Sequence, residues 1–210
     1  MGLVAEDQIR LAAAVGATGF IIASGANVPD ADRPAAKEAF AQFCRWFAGE
    51  AKRHDIVVML EPFDRSFTKK YLYGSSEECV ELVDSLQPEV DNLGIELDMA
   101  HVPLMRESFE HAIKVCAPYL KRVHLGNCVM KDPANPWYGD KHPPMGIDGG
   151  EIDVPELAGI LESLLSVGYL STENRGALVL EMQPFPGRTP EETVDDSLRR
   201  LTQAWELINA

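Results

Sequence analysis

Five short apolar runs, each followed by a longer amphipathic stretch, constrain this chain more than any other feature of its sequence. The runs are residues 19–25, 56–61, 93–98, 122–125 and 177–181, with Phe20-Ile21-Ile22 and Val57-Val58-Met59-Leu60 typical of them. They are apolar at successive positions, as strands covered on both faces of a parallel sheet must be. Residues 32–54, 75–86, 108–120, 154–167 and 189–209 read as the helices that follow, and residues 6–15 as a helix before the first run. Phe40, Phe43, Phe47 and Ala51 recur at the three- and four-residue spacing that gives a helix one apolar face. Ser75 or Ser76 is placed to cap its helix, with Glu78 in the first turn, and Pro190 followed by Glu191 and Glu192 marks another start. Parallel strands need long crossovers, so the alternation predicts an α/β fold of barrel or doubly wound type. No Gly-x-Gly-x-x-Gly turn follows any run, which argues against dinucleotide binding.

The formal net charge of -14 opposes phosphate backbones, so no nucleic-acid partner is expected. Cys44, Cys79, Cys116 and Cys128 include no Cys-x-x-Cys pair, which leaves no thiolate zinc signature. The first three fall in helical patterns as small apolar residues; Cys128 follows His124 in a loop. Reduced thiols and the lack of a signal peptide point to the cytoplasm. Residues 11–29 carry no charge, but Gly16, Gly19 and Gly25 break them into helix end, turn and strand, so no membrane span is expected.

Chemistry in parallel α/β folds gathers where strands end. Four runs end in a residue that can ligate a metal: Glu61, Asp98, His124 and Glu181. A single carboxylate closing an apolar strand is ordinarily a solvated rim residue. Four such residues at equivalent positions are harder to explain so. Neighbouring strands lie ~4.8 Å apart, close enough for the four to converge, and unpaired buried carboxylates call for a cation. Three carboxylates and an imidazole suit one divalent ion, Mn²⁺ first, with Mg²⁺, Co²⁺ or Zn²⁺ as the alternatives. Residues 126–153 form a long connection containing Gly139-Asp140-Lys141-His142-Pro143, and such loops are often functional. His101, three residues after Asp98, stands at the same rim.

Leu60-Glu61-Pro62, Leu97-Asp98-Met99-Ala100-His101, Val123-His124-Leu125, Gly139-Asp140-Lys141-His142-Pro143, Gly149-Gly150-Glu151-Ile152-Asp153 and Leu180-Glu181 occur in this order. The ordered set resembles the xylose isomerase-like TIM barrel superfamily of sugar phosphate isomerases and epimerases, and it covers nearly the whole chain. The resemblance implies a divalent metal held by Glu61, Asp98, His124 and Glu181. It implies that Glu61 and Glu181 move protons on opposite faces of an enediolate formed from a small hydroxy-ketone or hydroxy-aldehyde. It implies a substrate contact for His101 and a pocket-lining place for Asp140 and His142, a pair that binds additional zinc in the nuclease branch. Arg65 and Arg188, with Lys131, are the cations available to hold anionic or hydroxyl groups of a sugar or polyol. Dehydration of a cyclic polyol ketone passes through the same enolate and is a rival reading. An endonuclease IV-like hydrolase and a non-catalytic partial barrel are others.

The sequence departs from the family in two ways. No arginine follows His124 in Gly126-Asn127-Cys128-Val129-Met130-Lys131, and Asn127 stands where many relatives have aspartate. The five runs align with the last five of eight strand-helix units, whereas a full barrel takes ~250 residues. The expected fold is therefore a single partial TIM-barrel domain over residues 1–210 without the first three strands. An abbreviated chain, a partner chain completing the barrel, or a homo-oligomer covering the opening would each account for that. Tyr71, Tyr73, Trp137 and Tyr138 are placed to cover the pocket.

Overall fold

The computed structural model describes residues 2–209. Helix α1 (Gly2–Ala14) leads into five strands: β1 (Gly19–Ile22), β2 (Val57–Leu60), β3 (Leu93–Asp98), β4 (Leu120–Leu125) and β5 (Leu178–Leu180). Between and after them run α2 (Arg33–Lys52), α3 (Ser76–Leu86), the single turn α4 (His101–Leu104), α5 (Phe109–Cys116), α6 (Val154–Ser166) and α7 (Pro190–Ile208). Every strand pairs in parallel with its sequence neighbour, in the order β1-β2-β3-β4-β5. The sheet curls into a half-barrel with helices outside it, which is the partial α/β barrel expected.

Helix starts follow the caps written into the sequence. Ser75 and Ser108 accept from the amides of Glu78 and His111, and Asp153 and Thr189 form reciprocal capping boxes with Glu156 and Glu192. One boundary differs from expectation. The helix read over 108–120 stops at Cys116, and β4 begins at Leu120 after a 3-10 turn over Ala117–Tyr119. Pro118 has no amide hydrogen to continue the helical hydrogen bonding.

Alternation along the strands divides the sheet into two faces. Phe20 packs edge-on to Phe47 of α2 at 5.2 Å between ring centroids, which fixes its face of β1 toward the helices. Leu60, Ile95, Leu97, Val123 and Leu125 are buried in one apolar cluster with Phe47, Leu86, Ile113 and Leu164 from four helices. Glu61, Glu96, Asp98, His124 and Glu181 take the other parity and face the barrel interior. Exposed large apolar residues concentrate on the first and last helices: Val4 and Leu11 on α1, with Val194, Leu198, Trp205 and Leu207 on α7. That is the distribution an open barrel leaves.

Candidate metal centre

The interior residues at the strand ends form one continuous array. Glu61, the first residue past β2, brings Oε1 to 3.2 Å from His101 Nδ1. His101 Nε2 lies 3.4 Å from Asp140 Oδ2, and Asp140 Oδ1 lies 2.9 Å from His142 Nε2. His142 Nδ1 stands 3.7 Å from Asp98 Oδ2 and 4.0 Å from Glu181 Oε1. Glu181 Oε2 closes on His124 Nδ1, which also lies 3.5 Å from Glu96 Oε1.

Two overlapping groups in this array have ligand atoms all within 4.8 Å of one another: Asp98, His124 and Glu181, and Asp98, His101 and His142. A third such group, Glu77, Glu107 and His111, lies apart, and His111 is exposed. Three of the four strand-end residues thus come together, while Glu61 stands in neither group and is engaged by His101. Leu60 pairs with Ile95, so Glu61 comes level with Glu96, whereas Asp98 pairs with His124 two residues further along. Strand register alone does not separate Glu61, since His124 pairs with Val179 and Glu181 is likewise two residues off its neighbour's level.

The donor set fits a divalent cation. Asp98 Oδ2, both oxygens of Glu96 and of Asp140, both ring nitrogens of His101 and Nδ1 of His124 are buried without hydrogen-bond geometry to any partner. Buried polar atoms left unmated are costly. Groups that approach one another yet do not bond are arranged as ligands of a common ion are. Ligands at ~2.1 Å from one ion stand about 3.0 Å apart at right angles and about 3.4 Å at tetrahedral angles; Asp98 Oδ2 and His142 Nδ1, 3.7 Å apart, are close to that spacing.

Loops fix the array in place. Ala100 donates its amide to Asp98 Oδ1 at 2.7 Å, which aims Oδ2 inward. Gly126, the residue after β4, has no room for a side chain: a Cβ there would stand 2.6 Å from Asp98 Oδ1 and 2.8 Å from His142 Nδ1. Asn127 is fully buried and gathers the 126–153 connection. Its Oδ1 accepts from the amides of Cys128, Glu151 and Ile152 at 2.9, 3.1 and 3.0 Å, and its Nδ2 donates to the carbonyls of Pro144 and Ile152 at 3.1 and 3.3 Å. His142 sits in the same connection with φ +48, a left-handed conformation uncommon for a side-chain-bearing residue and frequent at functional sites. The loop after β2 is organised by buried Asp64, whose carboxylate accepts from the amides of Phe67, Thr68 and Lys69. It carries Lys69 to 3.2 Å from Asp140 Oδ2 and Phe63 against the His101 ring at 4.2 Å between centroids.

Burial and neighbours set the charge states. Burial alone would lower the His101 imidazole, yet Asp140 and Glu61 beside it raise it well above the ordinary value. His142 is likewise raised against its burial, by Asp140 and Asp98. Asp140 resists burial because His101 and His142 hold it well below the carboxylate range. His124 holds Glu181 below its ordinary value. Burial raises Asp98, and burial together with Glu61 and Asp98 raises Glu96 well above the usual range.

The two arginines named as substrate contacts make their contacts elsewhere. Arg65 pairs with Glu78 and donates to the Leu72 carbonyl at 3.1 Å, and Arg188 lies 3.8 Å from Asp196 and over the Phe185 ring. Lys131 approaches Glu151 at 3.6 Å. Of the four aromatic residues named as pocket cover, Tyr71 packs on Phe63 and Tyr138 on Phe67, while Tyr73 packs on Phe40 of α2. Sequence reasoning missed Glu96 and Lys69. Glu96 shares strand parity with Asp98, a readable signal; Lys69 carries none, since only the loop's course delivers it. All four cysteines are free and buried, and burial pushes the Cys44 and Cys116 thiols up to about 12.

Comparison with known proteins agrees with this architecture. The family model described as xylose isomerase-like TIM barrel matches residues 4–204, and the chain belongs to that family. Among solved structures it is similar to a D-tagatose 3-epimerase-like protein, with a TM-score of 0.74 and 18% identity over 97% of this chain and 68% of that one. It is similar to the D-psicose 3-epimerase of Clostridium cellulolyticum H10, with a TM-score of 0.64 and 20% identity over 95% and 70%. The IOLI protein with a binding zinc atom superposes with a TM-score of 0.69 and 15% identity over 96% and 68%. At these identities the likeness is one of fold. No curated protein matches the sequence. Among the described residues no helix is long and apolar enough to cross a membrane.

Proposed function

We propose that this chain is a divalent-metal-dependent sugar isomerase or epimerase that transfers a proton beside the carbonyl of a small hydroxy-ketone or hydroxy-aldehyde. The observation that carries the reading is the gathering of Asp98, His124 and Glu181 at one rim, with Asp98 Oδ2 and His124 Nδ1 buried and lacking hydrogen-bond geometry and Glu61 joined to the same array through His101. Asp98, His124 and Glu181 would hold the ion, with Glu61 joined to the array through His101. A bound divalent ion supplies Lewis-acid stabilisation of the negative charge that develops on the carbonyl oxygen, Mn²⁺ being the first choice for this donor set. The protein supplies the proton chemistry. One glutamate removes the proton from the carbon next to the carbonyl, and the other returns a proton from the opposite side. Glu181, kept ionised beside His124, is poised as a base. His101 and His142, raised by their carboxylate neighbours, donate to substrate hydroxyls, and Asp140 holds both rings in place. A small sugar or polyol is the substrate class; loss of water from a cyclic polyol ketone would use the same carboxylates.

A second reading rests on the second group. Asp98, His101 and His142, with Asp140 beside both rings, can hold another ion. The net charge of -14 weighs against nucleic acid as its substrate. Metal content separates the readings: one divalent ion per chain is expected from the first, two or more from the second, and none would leave only a non-catalytic barrel. Activity is tested by incubating ketoses, hydroxypyruvate and inososes with the Mn²⁺-loaded protein in D₂O. Proton NMR should show deuterium entering at a carbon beside the carbonyl. No exchange with any of them would refute the proposal.

A further inference from the structure

Lys69 brings a cationic side chain to the array, and no role above uses it. Among the described residues no other lysine or arginine pairs with a carboxylate of the array. The loop after β2 fixes its place. Buried Asp64 accepts from the amides of Phe67, Thr68 and Lys69, the last at 2.8 Å, so Lys69 is anchored at its own backbone. Thr68 Oγ1 accepts from the Asp140 amide at 3.3 Å, which ties this loop to the 126–153 connection. The Lys69 side chain runs past the Phe63 ring, 5.5 Å from ammonium to centroid, and brings Nζ to 3.2 Å from Asp140 Oδ2. His101 Nε2 approaches that same oxygen at 3.4 Å, so the ammonium lies within a small molecule's reach of the ring proposed to meet substrate. The Asp140 side chain is fully buried, whereas that of Lys69 stays 38% exposed. Asp140 already has the His101 and His142 rings beside it, so a third partner is not required to offset its charge. Lys69 Nζ makes no other ion pair among the described residues, and most of its donors are open.

We infer that Lys69 determines the specificity of the site, its ammonium receiving an anionic group, carboxylate or phosphate, carried by the hydroxy-ketone or hydroxy-aldehyde. This rests on the function proposed above. Glu61, Asp98, Asp140 and Glu181 repel an anion, and so does a chain of net charge -14, unless a placed cation receives it. Arg65, Arg188 and Lys131 make their contacts elsewhere, which leaves Lys69 for that task. A neutral sugar calls only for hydrogen bonds to its hydroxyls, which imidazoles and carboxylates supply without an ammonium. Lysine suits an anion, being a compact charge on a flexible stem that can follow its ligand while the backbone stays anchored. Burial would lower this ammonium, yet Asp140, Tyr71 and Glu61 raise it above its ordinary value, so it stays charged at neutral pH. The contact holds the substrate equally before and during proton transfer, so its effect falls on KM and not on kcat.

The test uses the full Mn²⁺-loaded chain and a matched set of three-carbon hydroxy-ketones. Hydroxypyruvate ends in a carboxylate, dihydroxyacetone phosphate in a phosphate and dihydroxyacetone in a hydroxyl. Deuterium exchange beside the carbonyl gives KM and kcat for each. The unmodified chain should favour at least one anionic probe over dihydroxyacetone by tenfold or more in kcat/KM, and which one it favours separates carboxylate from phosphate. Lys69→Met should cut that preference at least tenfold through KM, with kcat for the anionic probe changed less than threefold. Lys69→Arg keeps the charge and should retain most of the preference. Added salt should raise the KM of the anionic probe in the unmodified chain more than in Lys69→Met. A lysine that only supported Asp140 would instead lower kcat for all the probes alike. That result, or a preference changed less than twofold in Lys69→Met, would overturn the inference. An unmodified chain with no preference for either anion overturns it too, and that measurement needs no variant to fold. Exchange with neutral ketoses alone would overturn it while leaving the proposed function standing; exchange with no substrate at all would bring down both.

Discussion

Replacing Asn127 by alanine tests whether the loop chemistry described here is held from a single point. Five hydrogen bonds of 2.9–3.3 Å converge on this buried amide, three accepted from backbone amides and two donated to backbone carbonyls. Each is worth about 1 kcal/mol net, and a buried backbone group left without its partner costs about 1–3 kcal/mol. Water entering the vacated space would restore some of them, so the expected loss is about 3–5 kcal/mol. That is a large share of the roughly 5–15 kcal/mol that holds a folded chain together. At about 2–4 °C per kcal/mol for a chain of this size, the melting temperature should fall by roughly 6–20 °C. Urea unfolding gives the free energy, and hydrogen exchange at the amides of Cys128, Glu151 and Ile152 shows where it acts. Asn127→Asp should be nearly as damaging, because it turns an oxygen toward the Pro144 and Ile152 carbonyls. A loss below about 1 kcal/mol, with no faster exchange at those three amides, would refute the reasoning.

Glu61→Gln and Glu181→Gln should each lower turnover by orders of magnitude in the deuterium-exchange assay; near-normal rates in either would remove that residue from proton transfer. Gly126→Ala should fold but weaken Mn²⁺ binding by tenfold or more, since its methyl would wedge between Asp98 and His142; calorimetry at unchanged circular dichroism checks this. Glu78, lowered despite its burial by Lys37, the Gly74 amide and Arg65, adds stability above the pKa of an unfolded glutamate and loses it as pH falls through its lower folded value. The unmodified chain should exceed Glu78→Gln by about 1–2 kcal/mol at pH 7, and urea titrations should show the gap closing as the pH drops beneath the ordinary carboxylate range.

Much of the architecture is legible in the sequence because local signals and tertiary demands agree there. β3 is bounded by Leu93 and Asp98 as read, and Ser75, Ser108 and Thr189 cap their helices with their own side chains. The start of β4 is not legible, because Leu120 and Lys121 continue a helical pattern that Pro118 ends three-dimensionally. The site divides in the same way. Asp98, His124 and Glu181 meet because parallel strands deliver their ends to one rim. Glu61 stands apart from them and faces His101, which comes from the turn after β3, a contact that where each run stops does not reveal. Arg65 sits beside the motif in sequence, but Glu78, thirteen residues on, captures its guanidinium. Glu96 hides inside an apolar run, where one polar letter looks incidental until its neighbours in space are known.

The proposed reacting groups all come from the ends of β2 to β5 and the connections that follow them; among the described residues β1 contributes none. The proposed chemistry is thus invested in one contiguous arc of the rim. An arc of neighbouring parallel strands lets substitutions on β1 and its helix alter stability while the proposed site keeps its places.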